Sequence, residues 1–281
     1  MQSLTESFIW GKRTYIMGIL NVTPDSFSDG GDFNTPETAL MQAKKMVKAG
    51  ADMIDIGGQS TRPGSEVVSI DEELNRVLAI IKLLRSNKNI GAEIIISVDT
   101  TRAIVAEKSV EAGANLINDI SAGTYDDEMF SVVAALKVPI ILMHIRGTPK
   151  TMQKLTDYQD LIGEIYQFLE SRIKIAFKAG IKREKIIIDP GIGFAKNYEQ
   201  NLEIIRNLSR FKSLNCPILV GLSRKSFIGQ ILNQPNAKQR VWGTAAGCVA
   251  AIAQYVDILR VHDVKEMSEV CRVADIIFRN K

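Results

Sequence analysis

Eight short apolar runs punctuate the chain: Tyr15–Leu20, Met53–Ile56, Ile94–Val98, Leu116–Asn118, Ile140–Met143, Ile186–Ile188, Ile218–Val220 and Ile258–Val261. They are continuous rather than alternating, the pattern of strands covered on both faces. Amphipathic stretches lie between them. In Pro36–Ala49, the residues Ala39, Leu40, Ala43, Met46 and Val47 share one helical face, and in Asp71–Arg85 so do Leu74, Val77, Leu78, Ile81 and Leu84. The boundaries carry their own chemistry. Ser69 with Glu72 predicts a capping box, and Thr35 before Pro36 an N-cap and first helical position. Gly50, Gly113 and Gly180 each follow a helical run and suit a left-handed cap. A faint repeat supports the unit: Ala49-Gly50-Ala51-Asp52-Met53-Ile54-Asp55 echoes Ala112-Gly113-Ala114-Asn115-Leu116-Ile117-Asn118. Eight strand–helix units close most simply into an α/β fold of the (β/α)8 TIM barrel type, one domain over residues 1–281. An open doubly wound sheet is the alternative.

Composition narrows the function. With 281 residues, 46% hydrophobic and 24% charged, the chain can bury a sizeable core. A net charge of +3 argues against binding nucleic acid through bulk charge. No apolar run approaches the ~18 residues of a membrane helix. Met1–Glu6 lacks the basic start and apolar stretch of a secretory signal. Cys216, Cys248 and Cys271 are odd in number and lack metal-ligand spacing, so buried thiols in a reducing, cytoplasmic setting are expected. His144 and His262 are the two histidines, too few for a histidine-rich metal cage.

In such a barrel the active site lies at the C-terminal ends of the strands. The first polar groups there are Asn21, Asp55, Asp99, Asn118 with Asp119, His144, Asp189, Ser223-Arg224-Lys225, and Arg260 with His262. The loops Asn21–Gly31 and Gly57–Ser65 are long and rich in Gly, Pro, Ser and Thr, as binding loops or lids are. Each residue also has a plainer reading. Asp99 could cap the next helix, Asp119 could serve a turn, and His144 reads best as a core hydrogen-bonding group. Gly191-Ile192-Gly193 lacks the third glycine of a dinucleotide loop, and Ser223-Arg224-Lys225-Ser226 lacks the upstream glycines of a phosphate loop. Asn21-Val22-Thr23 and Asn207-Leu208-Ser209 are chance matches to the glycosylation pattern. Together, however, the strand ends converge on one mouth of carboxylates, amides and cations. Carboxylates and amides accept from the N–H edge of a flat nitrogen heterocycle. Arg62, Arg260 and His262 suit a phosphate-type anion, and an Asn oxygen beside phosphate suits Mg2+ better than zinc. No Ser/Cys–His–Asp order forms a convincing nucleophile triad.

Longer motifs add a family. Met17–Gly31 resembles the first signature of dihydropteroate synthases, and Ile54–Gly64 the second. Ser97-Val98-Asp99-Thr100, Ile117-Asn118-Asp119-Ile120, Leu142-Met143-His144, Asp189–Phe194, Ser223–Ser226 and Arg260–Asp263 follow in the family order. Gln59 departs from the Glu that many members carry. The resemblance implies a barrel enzyme that joins 6-hydroxymethyl-7,8-dihydropterin diphosphate to 4-aminobenzoate, releasing diphosphate. By carry-over, Asp99, Asn118 and Asp189 grip the amino-pyrimidine edge, with Lys225 on the carbonyl side. Asn21 ligates Mg2+, and Arg62, Arg260 and His262 hold the diphosphate. Thr61, Pro63, Phe194, Lys225 and Ser226 shape the aminobenzoate pocket, and Phe27 closes over it. Asp29 is expected to face the developing cation. Asp29, Lys225, Arg260 and His262 are thus the expected catalytic groups. A homodimer through the last helices is also implied. A pterin-binding methyltransferase barrel and a non-catalytic pterin-binding paralogue are the other readings. Both fit less well, because the Thr61–Gly64 loop, Lys225-Ser226, Arg260, His262 and Asn21 are all present.

Overall fold

Period-2 geometry explains how eight short apolar segments build two cores at once. In the computed structural model, which describes residues 8–22, 36–61, 64–88, 90 and 94–279, each of the eight segments contains a strand, Ile94 falling just before the third. Phe27, Asp29, Thr35, Arg62 and Pro63 lie outside the described residues. The chain runs β1 (Tyr15–Asn21), α1 (Pro36–Lys48), β2 (Met53–Gly57), α2 (Ile70–Ser86), β3 (Ile95–Asp99), α3 (Ala103–Glu111), β4 (Leu116–Asp119) and α4 (Met129–Leu136). It continues through β5 (Ile140–Met143), α5 (Leu161–Lys178), β6 (Ile186–Asp189), α6 (Tyr198–Arg206), β7 (Leu219–Val220), α7 (Ser226–Ile231), α8 (Val241–Ala253), β8 (Ile258–Val261) and α9 (Val264–Phe278). Every pairing is parallel, in the order β6-β5-β4-β3-β2-β1-β8-β7. A single parallel bridge, Ile188 to Ile218, joins β6 to the start of β7 and closes the ring. The barrel therefore stands and the open doubly wound sheet does not. Ile218 is not a full strand residue as expected; it meets β6 only through that bridge.

Successive side chains on a strand point to opposite faces. Ile16, Leu20, Ile54, Ile56, Ile96, Val98, Leu142, Ile188 and Val261 face outward and pack under the helices. Tyr15, Met17, Met53, Ile95, Leu116, Ile141, Ile187, Leu219 and Ile258 face inward and fill the lumen. Phe8 and Trp10 pack on Tyr15, with ring centroids 4.2 Å and 5.4 Å away, and seal the bottom.

The helices obey their predicted faces: Ala39, Ala43 and Met46 of α1, and Val77, Ile81 and Leu84 of α2, are buried. Ser69 caps α2, its Oγ accepting from Glu72 N at 3.1 Å. The capping box is only half made, because the Glu72 carboxylate pairs with Arg76 one turn on instead of reaching back. Gly50, Gly113 and Gly180 all take the left-handed conformation expected of them.

Candidate active site

Two residues above the apolar plug, the inward positions turn polar. Met53 is followed by Asp55, Ile95 by Ser97 and Asp99, Leu116 by Asn118, Ile187 by Asp189, and Ile258 by Arg260 and His262. The register places these groups at neighbouring heights: Asp55 beside Ser97, Asp99 beside Asn118, and Met143 beside Asp189. Hydrophobic residues below exclude water, so the polar ring sits on a dry floor at the C-terminal mouth of the barrel.

Arg260 ties the ring together. Its Nε donates to Asp55 Oδ2 at 2.6 Å and its Nη2 to Asp99 Oδ2 at 2.8 Å. Asn118 Nδ2 donates to the same Asp55 oxygen at 2.9 Å. Asp99 is thus held by Arg260 and does not cap the next helix. The first turn of α3 is capped from elsewhere, Ala103 N donating to Asp126 Oδ2 at 2.7 Å. Burial pushes Asp99 above the ordinary carboxylate range; Arg260 opposes the rise and the charge of Asp55 adds to it. For Arg260, burial works against the charge, but Asp55 and Asp99 outweigh it and raise the guanidinium further.

The opposite wall comes from the loop after β6. Asp189 Oδ1 accepts from Gly191 N at 2.7 Å, and burial raises its carboxyl. Lys225, just before α7, donates to the Ile192 carbonyl and lies over the Phe194 ring, 4.6 Å from its centroid. Burial pulls the Lys225 ammonium down to about 8, with Asp189 opposing and Arg260 assisting the fall. Phe194 packs on Ile120, Met143, Ile145, Met152 and Ala195, which gives this side an apolar shelf. Ser226 is exposed at the first position of α7, and Thr61 is half-buried at the edge of the second long loop. His262 Nδ1 is 3.0 Å from Ser223 Oγ, and its backbone N–H donates to the same oxygen at 3.1 Å, so the ring's direction is fixed.

At the end of β1, Asn21 stands beside Gly57. A Cβ on residue 57 would come within 3.2 Å of Asn21 Oδ1 and 3.8 Å of Asp99 Oδ2, so the glycine keeps a small cradle clear beside the amide oxygen. Among the described residues, no cluster of three or more His, Cys, Asp or Glu side chains is placed to hold a metal. The donor set fits a hard cation that takes one amide oxygen from the protein and the rest from phosphate and water.

Residues 17–262 match the pterin binding enzyme family. A dihydropteroate synthase from Synechocystis is 58% identical over 272 residues, covering 97% of this chain and 93% of the relative. The chain belongs to the dihydropteroate synthase family. The Clostridium difficile dihydropteroate synthase, crystallised in the presence of pteroic acid, superposes with a TM-score of 0.90 at 46% identity, covering 97% of this chain and all of that one. The Xanthomonas albilineans synthase with 4-aminobenzoic acid superposes at 0.89 with 38% identity, covering 96% and 95%.

Of the synthase residues named from the sequence, Asn21, Asp99, Asn118, Asp189, Phe194, Lys225, Arg260 and His262 stand at the mouth of the strands or on the loops just above them. Asp119 is the turn residue anticipated: fully buried, it accepts from Ser121 N at 2.8 Å and Gly123 N at 2.6 Å. His144 is a core group, as its plainer reading held. Its Nδ1 lies 2.7 Å from the buried Lys196 Nζ, and burial drives the imidazole down to about 2. Lys196 itself escaped the sequence reading. Its Nζ also donates to the carbonyls of Pro190 at 3.0 Å and His144 at 3.3 Å, tying the end of β5 to the Asp189 loop. A lysine after a glycine-rich loop ordinarily reads as solvated, and nothing in its local pattern signals burial. Asp55 was visible as a polar break in an apolar run, but its partners are 63 and 205 residues away.

Proposed function

We propose that this mouth performs the reaction of the family, the transfer that forms the C–N bond of 7,8-dihydropteroate. The N3–H and 2-amino donors of the pterin's amino-pyrimidine edge meet the acceptors of Asp99, Asn118 and Asp189, with the Lys225 ammonium on its carbonyl side. The diphosphate arm extends upward to Arg62, Arg260 and His262. Arg260 uses two of its five N–H donors on Asp55 and Asp99, leaving others for the anion. Thr61, Pro63, Phe194, Lys225 and Ser226 frame 4-aminobenzoate, and Phe27 covers it.

The carbon under attack is a CH2 on an electron-rich ring. Its C–O bond breaks first, the ring delocalises the cation and diphosphate departs with the electron pair. The neutral aromatic amine then attacks, forms the C–N bond and gives up one proton to solvent. No strong base is needed, because the arylamine is already unprotonated near neutrality. Asp29 stabilises the developing cation, while Arg260 and His262 stabilise the leaving anion. Asn21 would hold Mg2+, whose charge, shared with the diphosphate, eases departure of the leaving group. The protein's part is otherwise to position the reactants and to keep water from the cation. The observation that carries this reading is the convergence of Asp99, Asn118, Asp189, Lys225 and Arg260 above an apolar floor.

Two further readings accompany it. Val273, Ile276 and Ile277, spaced to share one face of α9, are each more than 60% exposed, and this apolar strip is the place for a second copy of the chain. The described residues include no helix long and apolar enough to cross a membrane, and Cys216, Cys248 and Cys271 are free and buried, which suits the cytoplasm.

A coupled assay for diphosphate release tests the mechanism. Release from the pterin diphosphate should need 4-aminobenzoate and yield dihydropteroate in equal amount. Equal release without the arylamine would show that water reaches the cation and would overturn the proposed exclusion.

A further inference from the structure

Asp55 is fully buried inside the barrel, beneath the groups that face the substrate. Two donors converge on its Oδ2, Asn118 Nδ2 at 2.9 Å and Arg260 Nε at 2.6 Å, while its Oδ1 meets no donor. This lopsided arrangement has a chemical consequence. An asparagine carboxamide can present either its oxygen or its NH2 group, and the neighbouring partner decides which. Asp55 Oδ2 accepts from both donors. Facing Asp55, Asn118 must therefore turn its NH2 inward, which leaves its Oδ1 as an acceptor on the other side.

We infer that Asp55 is a positioning residue that sets the hydrogen-bonding sense of Asn118 and thereby the enzyme's preference for a 2-amino pterin over its 2,4-dioxo counterpart, a lumazine. The inference rests on the placement of the amino-pyrimidine edge proposed above. With Asn118 Oδ1 aimed outward, Asn118 joins Asp99 and Asp189 as a third acceptor. A 2-amino group satisfies such a site with N–H donors, whereas the 2-oxo group of a lumazine sets an acceptor against it. Mismatched buried polar groups are what make such sites discriminating. The strand pairing of β2, β3 and β4 holds Asp55 and Asn118 in this relation.

The test is the ratio of dissociation constants for 6-hydroxymethylpterin and 6-hydroxymethyllumazine, measured by calorimetry on the intact protein. Asp55→Asn keeps the size of the side chain but removes the obligatory acceptor, so Asn118 can turn over. The ratio should fall about tenfold, the worth of one well-made hydrogen bond. Asn118→Ala should lose a similar amount, and Asp55→Asn added to Asn118→Ala should lose no more, because both act through one carboxamide. A general loosening of the mouth would weaken both ligands alike and leave the ratio in place. If Asp55→Asn is too unstable to purify, Asp55→Ser replaces the carboxylate with a hydroxyl that either donates or accepts, and carries the same expectation. A wild-type ratio in the Asp55 variants, or full additivity with Asn118→Ala, overturns the inference. If the wild type itself fails to prefer the pterin, the placement of the pterin edge falls first.

Discussion

Gly191 tests how tightly the loop bearing Asp189 is built. It takes φ +73°, and a Cβ added there would sink into the His144 carbonyl oxygen, lying 3.0 Å from the carbonyl carbon and 3.1 Å from Lys196 Nζ. The left-handed conformation alone costs an alanine about 1 to 2 kcal/mol relative to glycine. Relieving the overlap moves the His144 carbonyl by roughly 1 Å, beyond what a hydrogen bond tolerates. That movement strains two bonds, from Lys196 Nζ to His144 O at 3.3 Å and from His144 N to Asp189 O at 3.0 Å. Each is worth about 1 kcal/mol, more where the amine is charged. Gly191→Ala should therefore destabilise by about 3 to 5 kcal/mol, lowering the urea midpoint by more than about 1 M at a slope of ~3 kcal/mol/M. Pterin affinity should fall at least about tenfold, because the Asp189 carboxylate is anchored on Gly191 N. Gly11 is the control: its φ is +83°, but a Cβ there meets nothing within 4 Å. Gly11→Ala should show the backbone cost alone and leave pterin binding unchanged. Equal urea midpoints for the two variants would refute the steric reasoning.

Other expectations follow from the same geometry. Asp119→Asn places an NH2 group where buried N–H donors need acceptors, and should cost about 2 to 4 kcal/mol in thermal or urea unfolding while leaving the pterin KM intact. Lys225 has a folded value of about 8, below its ordinary 10.5, so the unfolded chain holds a proton between those limits that the folded chain lacks. Its contribution to stability therefore rises with pH across that window, by up to ~3 kcal/mol. The stability of Lys225→Met relative to wild type should fall by a corresponding amount between pH 8 and 10.5, and a difference independent of pH would contradict the burial argument. Asn21→Ala should raise the Mg2+ concentration for half-maximal rate about tenfold and leave binding of pterin without diphosphate unchanged; an unaltered Mg2+ requirement would remove Asn21 from the cation's ligands.

Much of this molecule can be read along the chain. The eight apolar runs, the glycine caps and the polar residue at each strand end are local features, because burial on both faces and the return of the chain after each helix impose them at short range. Hence the apolar runs match the strands to within a residue or two, and Asp99, Asn118, Asp189, Lys225 and Arg260 stand out along the chain as polar residues at or just beyond strand ends. Ile218 shows where local pattern stops: it looks like its strand neighbours, yet only the closure of the ring against Ile188 decides its pairing. Glu72 shows the same, since Arg76 and the Ser69 backbone compete for one carboxylate and nothing in the spacing decides the outcome.

The sequence by itself determined which residue types would gather at the mouth, because a strand of period 2 that ends in a polar group can point it only inward or outward. Only the tertiary structure decided how those groups divide the work among themselves. Asp55 lies beneath the site with Asn118 and Arg260 on one oxygen, and Lys196 is a buried strap rather than a surface lysine. Such assignments depend on distances between residues far apart in the chain, and on burial that alters each charge. A side chain's chemistry is local, but its partners and its dielectric surroundings belong to the closed barrel.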